Sequence, residues 1–240
     1  MALLDVRIPP WSIDLVYGNT GSGKSYFVGW LIEQAYEQGR RFIIMDTKTR
    51  NHLGLVTLPG VRLLKIKPGK RYNWKKLIEF DQVLIVPTRG LLREIGVKGL
   101  VDNYYRPLLD EINRRDYMRI VVLEEAHHYN YSARTPGEEI EFTFREGRDT
   151  DKKIYPIAVT QSIADFPKLL FRQAQRHFIF KHYIPNDIIY LNRMIPGFSE
   201  LNDQLRAHDL IEFNPKAENP EERYRIIRRE FVIRRTRHYG

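Results

Sequence analysis

Gly18-Asn19-Thr20-Gly21-Ser22-Gly23-Lys24-Ser25 reads G-x-x-x-x-G-K-S, a spelling suited to holding a run of phosphates. Small residues let successive backbone N–H groups turn inward around an anion, at a helix N-terminus whose partial charge is positive. Lys24 can reach the outer phosphates, and the Ser25 hydroxyl suits Mg²⁺. A second reactive pair, Glu124-Glu125, ends the apolar run Ile120-Val121-Val122-Leu123. Glu124 can hold Mg²⁺ through its water shell, and Glu125 can orient or deprotonate an attacking water. Phosphoryl transfer asks for little beyond such positioning and charge compensation. Acids also open ordinary helices, where the dipole favours them. Their company with a phosphate loop argues for chemistry. Gly18, Asn19, Thr20, Gly21, Ser22, Gly23, Lys24 and Ser25, with Tyr26 behind them, are the expected binding residues for a nucleoside triphosphate.

These groups need a strand before the loop and a helix after it. Ile13-Asp14-Leu15-Val16-Tyr17 is the strand. Phe27, Val28, Leu31, Ile32 and Ala35 recur at helical spacing as far as Gly39, a residue suited to the left-handed turn that ends a helix. Further strands are expected at Arg41–Met45, Val61–Ile66, Val83–Val86, Ile120–Leu123, Ile157–Thr160 and His177–Phe180. A helix is expected over Leu100–Asp116, kinked or split at Pro107, and another over Glu138–Glu146. Apolar runs alternating with helices predict an α/β fold: a single P-loop NTPase domain with a mostly parallel sheet and helices on both faces. Residues 1–12 form a lead-in, 13–213 the P-loop domain and 214–240 a basic C-terminal extension.

The 240 residues are 42% hydrophobic and 29% charged, an ordinary globular composition. The absence of cysteine excludes disulfides, zinc–thiolate sites and thiol catalysis. No apolar run reaches the length of a membrane span, and the first residues are not a signal peptide. A net charge of +9 suits a polyanionic partner. His127-His128 lack the H-E-x-x-H spacing and a third ligand, so they are read as structural or site-lining. The arginine-rich end, Arg223 to Arg237, and the loop Tyr129 to Gly137 are each either DNA contacts or plain packing and surface.

The order of motifs carries a resemblance. A strand ends in Glu124-Glu125-Ala126-His127, a helix in Arg145-Glu146-Gly147-Arg148 and a strand in Thr160-Gln161-Ser162, with Asp165-Phe166-Pro167-Lys168 beyond. This resembles the HerA–FtsK superfamily of ring-shaped, DNA-pumping ATPases, HerA-like members most closely, from about Leu15 to His182. The resemblance implies a RecA-like ATPase core. Gly18–Ser25 would be the Walker A loop, Glu124 and Glu125 the Walker B pair, and ATP with Mg²⁺ the ligands. It also implies that Lys24, Glu125, Gln161 and Arg148 are catalytic, with Ser25 and Glu124 at the metal. Gln161 would sense the γ-phosphate, and Arg148 would reach into a neighbouring subunit's site, with Arg145 as runner-up. The family's usual G-R-K is here interrupted by Asp149-Thr150-Asp151.

The expected partners are further copies of the chain in a hexameric ring, double-stranded DNA, and a capsid portal or membrane protein. Lacking the β-barrel of cellular HerA-like proteins and the membrane spans of FtsK-like ones, the chain is expected to be a viral genome-packaging motor. Its place would be the host cytoplasm, with virion association. The alternatives are a cellular or plasmid DNA translocase in repair or conjugation, and an NTPase that powers protein assembly or secretion.

Overall fold

Short apolar runs joined by helical segments cannot pair as hairpins, and each parallel neighbour needs a crossover. The computed structural model describes residues 12–132, 135–147, 151–161, 163–219 and 222–239. Apart from Ser12, the expected lead-in lies outside the described residues, as do Arg148 and Ser162. The parallel strands are β1 (Asp14–Tyr17), β2 (Arg41–Met45), β3 (Arg62–Ile66), β4 (Gln82–Pro87), β5 (Arg119–Leu123), β6 (Ile154–Thr160) and β7 (Arg176–Phe180). Two antiparallel strands, β8 (Leu210–Phe213) and β9 (Tyr224–Ile227), extend the sheet. Its order is β3-β4-β2-β5-β6-β1-β7-β8-β9.

Strands β1, β5 and β6 are buried along their whole length, because helices lie on both faces. On one face α1 (Lys24–Glu37) packs Phe27, Val28 and Leu31 against Val16, Ile44 and Val122. The other face carries α4 (Arg106–Arg115), α5 (Glu138–Glu146) and α6 (Lys168–Gln173), after the short α2 (Trp74–Leu77) and α3 (Arg89–Leu100). There Leu108, Ile140 and Leu170 meet Leu15, Met45 and Leu123. Helices α7 (Pro185–Met194) and α8 (Phe198–Asp203) precede β8. The α/β P-loop fold expected from the sequence is the fold found.

Local differences have local causes. The helix expected over Leu100–Asp116 begins earlier, at Arg89. Thr88 caps α3 by accepting the Leu91 N–H, while Gly90, Gly96 and Gly99 obscure its helical period. A π-helical turn, Val101–Tyr105, then joins α3 to α4, and Pro107, which has no N–H to give to that turn, sits at the start of α4 where the helical period changes. The boundary expected after residue 213 falls inside the β8–β9 hairpin. Beyond β9 the chain turns back over α1. Glu33 there receives the Arg234 guanidinium at 2.9 Å and the Arg235 N–H at 2.7 Å, with Thr236 alongside. This end is built into the domain.

Burial also creates a pH liability. His177 on β7 is enclosed by Phe171, with ring centroids 4.4 Å apart, and by Tyr17 and Phe213. Desolvation depresses its pKa from 6.5 to about 3. The unfolded chain therefore binds a proton below 6.5 that the folded ring refuses. Stability should be intact above that pH and fall by up to about 1.4 kcal/mol per unit as pH drops toward 3. Urea denaturation across this range is the measurement, and His177→Phe should flatten the slope.

Candidate nucleotide site

The carboxyl ends of β1, β6 and β5 lie side by side. At about 4.8 Å per strand, that sets the glycine loop and the two acids roughly 10 Å apart. Gly18 cannot carry a side chain, because a Cβ there would stand 2.6 Å from Phe180 Cβ. Gly23, with φ 103°, occupies the left-handed turn that leads into α1. Lys24, only 8% exposed, donates from Nζ to the carbonyls of Gly18 at 2.6 Å and Asn19 at 2.9 Å. Burial pulls its pKa down to about 8, against the opposing pull of Glu125 and Glu124.

The acids follow β5 directly. Glu124 is held by His52, with Nε2 and Oε1 2.7 Å apart and both side chains buried. Next to His52, the Asn51 amide donates to Ser25 Oγ at 3.2 Å. The two expected metal-bearing residues are thus braced by consecutive residues of one turn. Glu125 adopts a left-handed backbone, φ 49° and ψ 51°, a conformation that costs a residue with a side chain about 1–3 kcal/mol. The turn directs its carboxylate to Gln161, whose Nε2 donates to Glu125 Oε1. Gln161 Oε1 in turn accepts from Thr20 Oγ1. One amide bridges the phosphate loop and the second acid.

His127 lies beside this bridge, 3.1 Å from Thr160 Oγ1 and 3.6 Å from Glu125 Oε2. Burial lowers its pKa, and burial with the neighbouring His127 lowers that of His128 to about 4. Among the described residues no group of three His, Cys, Asp or Glu is placed to hold a metal ion. The Ser25 hydroxyl and Glu124 carboxylate line one cavity and fit a hard cation that keeps several waters.

That cavity, about 510 Å³, is lined by Thr20, Lys24, Glu124 and Gln161 and also by Tyr26, His208, Arg229 and His238, whose Nδ1 lies 3.0 Å from the Asn51 carbonyl. The Arg229 guanidinium lies 4.3 Å over the Tyr26 ring, and the His238 ring meets Tyr26 edge-on at 5.5 Å. His208 Nδ1 lies 3.1 Å from the Ser22 carbonyl. Of the expected residues, the structure brings together Lys24, Ser25, Tyr26, Glu124, Glu125 and Gln161. Arg148 lies outside the described residues. Arg145, exposed on α5, pairs with Glu141 one turn earlier at 3.0 Å. Sequence reasoning missed Asn51, His52, His208, Arg229 and His238. Only Asn51-His52, polar residues shortly after a strand that ends in Asp46, left a local trace.

A glycine loop between β1 and α1, two acids at the end of β5 and Gln161 at the end of the strand between them define a P-loop NTPase fold. The resemblance to HerA–FtsK ATPases is borne out. The family model for the central domain of helicase HerA matches residues 15–49. The genome-packaging NTPase B204 of Sulfolobus turreted icosahedral virus 2, in its sulfate complex, superimposes with a TM-score of 0.67 at 14% identity. That match covers 91% of this chain and 96% of the other. Its AMPPCP complex gives 0.67 at 15% identity, covering 91% and 97%. The plasmid coupling protein TrwB with an ATP analogue gives 0.65 at 10% identity, covering 91% and 85%. At such identities the likeness establishes the fold. No curated protein matches the chain in sequence.

Removing His52 should loosen the metal end of the site without emptying it. Partners that orient a metal-bearing side chain are worth about 10–100-fold in metal affinity. His52→Ala is expected to raise by that factor the Mg²⁺ concentration that supports binding of a fluorescent triphosphate analogue, leaving Mg²⁺-independent binding nearly unchanged.

Proposed function

We propose that this chain is an ATP-hydrolysing motor subunit that moves double-stranded DNA, and that its task is packaging a viral genome. The observation that carries the reading is the hydrogen-bonded path Thr20–Gln161–Glu125, which links the phosphate loop to the acid best placed to work on water. It is supported by a likeness to a packaging NTPase over 91% of the chain.

In this reading the backbone N–H groups of Gly18–Ser25 and the α1 N-terminus hold the phosphates. Lys24 leaves its loop carbonyls for the outer phosphate oxygens. Mg²⁺, held by Ser25 and through water by Glu124, would neutralise charge on the phosphate oxygens. Glu125 accepts a proton as water attacks the γ-phosphorus, and the bond to the diphosphate oxygen breaks to leave ADP and phosphate. Gln161 touches both sides of this step, so loss of the γ-phosphate can be felt at β6. Tyr26, Arg229 and His238 line the same cavity and would help to enclose the nucleotide.

A solvated γ-phosphate on a lone subunit lacks a further cation. Arg148 of a neighbouring copy in a ring, hexameric in this reading, supplies it, with Arg145 as the substitute candidate. Such an arginine is worth about 10³–10⁵ in rate. The TrwB likeness, at a TM-score of 0.65, favours a second reading as a conjugative DNA translocase. A protein that turned over ATP with no response to DNA would favour neither, and would point instead to protein assembly or secretion.

ATP turnover with and without double-stranded DNA, alongside mass in solution, tests the reading. Stimulation by DNA and a closed oligomer are expected. Glu125→Gln should bind ATP and lose about 10²–10⁴ in turnover, and full activity in that variant would end the assignment.

Arg148→Ala should bind ATP and hydrolyse it slowly. Mixed with Glu125→Gln it should regain part of the activity, because some interfaces then hold both working halves. Mixed rings that stay inactive would remove the role in trans.

A further inference from the structure

The chain's net charge of +9 has to lie somewhere, and the arginine-rich end is the obvious place to look. The structure uses most of that end internally. Arg228 pairs with Asp209 at 2.8 Å and Arg234 with Glu33 at 2.9 Å, while Arg225 and Arg235 pair with Glu212 and Glu37. Arg229 donates to the Val232 carbonyl at 2.7 Å and lines the nucleotide cavity beside Tyr26. Cations already matched by carboxylates gain little from a second anion.

The unspent charge is elsewhere. Between Arg62 and Ile78 the chain contains no acidic residue, and Arg62, Lys65, Lys67, Lys70, Arg71 and the Lys75–Lys76 pair are all exposed. Among the described residues none of them forms an ion pair. Arg62 lies 5.2 Å over the Phe80 ring, a contact that leaves its charge uncompensated. Strand β3 is the edge of the sheet, and Lys67–Asn73 continues from its carboxyl end. That end belongs to the same rim as the glycine loop and Glu124, because β3 runs parallel to β4, β2 and β5. Three strand positions separate β3 from β5, about 14 Å at the usual spacing.

The segment is built. The Tyr72 hydroxyl accepts the Lys67 N–H at 2.8 Å and donates to the Lys65 carbonyl at 3.2 Å, closing the basic turn. Its ring stacks on Trp74 at 5.3 Å and meets Tyr104, in the π-helical turn before α4, at 6.1 Å. The Thr88 N–H donates to the Ile66 carbonyl at 2.9 Å, which brings the exposed Arg89, at the start of α3, beside Lys67. The aromatic residues are half-buried and serve as scaffold, so the face offers cations with few apolar groups to insert into a bilayer.

We infer that the β3 edge, from Arg62 through Lys76 with Arg89 beside it, is a sequence-independent binding surface for the phosphate backbone of double-stranded DNA. The inference rests on the reading of the chain as a DNA motor and names where on the subunit the duplex is gripped. A row of unpaired cations on a held turn matches an evenly charged polyanion, and each phosphate neutralised releases counterions. The rim position brings the grip near the acids without sharing their residues.

The test compares two full-length variants of equal charge change. One reverses the turn, with Lys65→Glu, Lys67→Glu, Lys70→Glu and Arg71→Glu. The other reverses four exposed cations elsewhere, Arg172→Glu, Arg193→Glu, Arg223→Glu and Arg237→Glu. Duplex affinity is measured by fluorescence anisotropy over a salt series, with thermal unfolding and DNA-free ATP turnover as checks of the fold. The turn variant should lose about 100-fold or more in affinity, and its dependence of log K on log salt should shrink by about 3. The second variant should keep most of both. Equal losses in the two would assign binding to overall charge and overturn the inference, as would an unaltered turn variant. In both outcomes the DNA-motor reading stands. A wild-type chain that hydrolyses ATP but binds no duplex, or binds only phosphatidylserine vesicles, would overturn the reading and the inference together.

Discussion

Two adjacent carboxylates are held in a nearly buried corner, and much of the structure serves to fix them there. Glu124 and Glu125 are 4% and 8% exposed, and Asp46 at the end of β2 is fully buried. Uncompensated charge in such a place is expensive. Burial pushes the Asp46 carboxyl up to about 7, with His52 pulling it back and Glu124 adding to the rise. Near neutrality the Asp46 carboxyl can therefore take up a proton. His52 holds Glu124 and Gln161 holds Glu125, while Lys24 lines the same cavity.

Sheet order makes this corner possible. Strand β5 lies between β2 and β6, so residues after β2 brace Glu124 while the residue after β6 meets Glu125. β6 also lies against β1, which brings Gln161 to Thr20 of the glycine loop. The left-handed backbone at Glu125 fits this account. The turn aims one carboxylate at Gln161 while its neighbour points to His52, and strain of that kind persists where the surroundings over-determine it.

The arginine-rich end shows how charge in a sequence can mislead. Its cations return over α1 to neutralise Glu33, Glu37, Asp209 and Glu212 and to stack on Tyr26. In doing so the segment supplies part of the wall of the nucleotide cavity through Arg229 and His238. Composition registers the density of arginine. It cannot register which arginines have partners across the fold.

The phosphate loop, the acid pair and the strands that carry them were legible because each is local: a spelling, a spacing, an apolar run of strand length. Gln161 was legible only through its place in an ordered set of motifs. Helix α3 was hidden because its glycines dilute the helical period, and β8 and β9 because Glu212 and Arg225 interrupt their apolar runs. His52, His208, Arg229 and His238 were out of reach for a different reason. Their neighbours lie far away in the chain, 72 positions for His52 and Glu124 and 186 for His208 and Ser22, and such pairings exist only once the sheet is ordered and the end has folded back. By itself the sequence determined a phosphate-binding α/β domain with two acids poised at a strand end. Only the tertiary structure decided which side chains hold those acids and which cations are left free to face a partner, because both depend on burial and proximity across the chain.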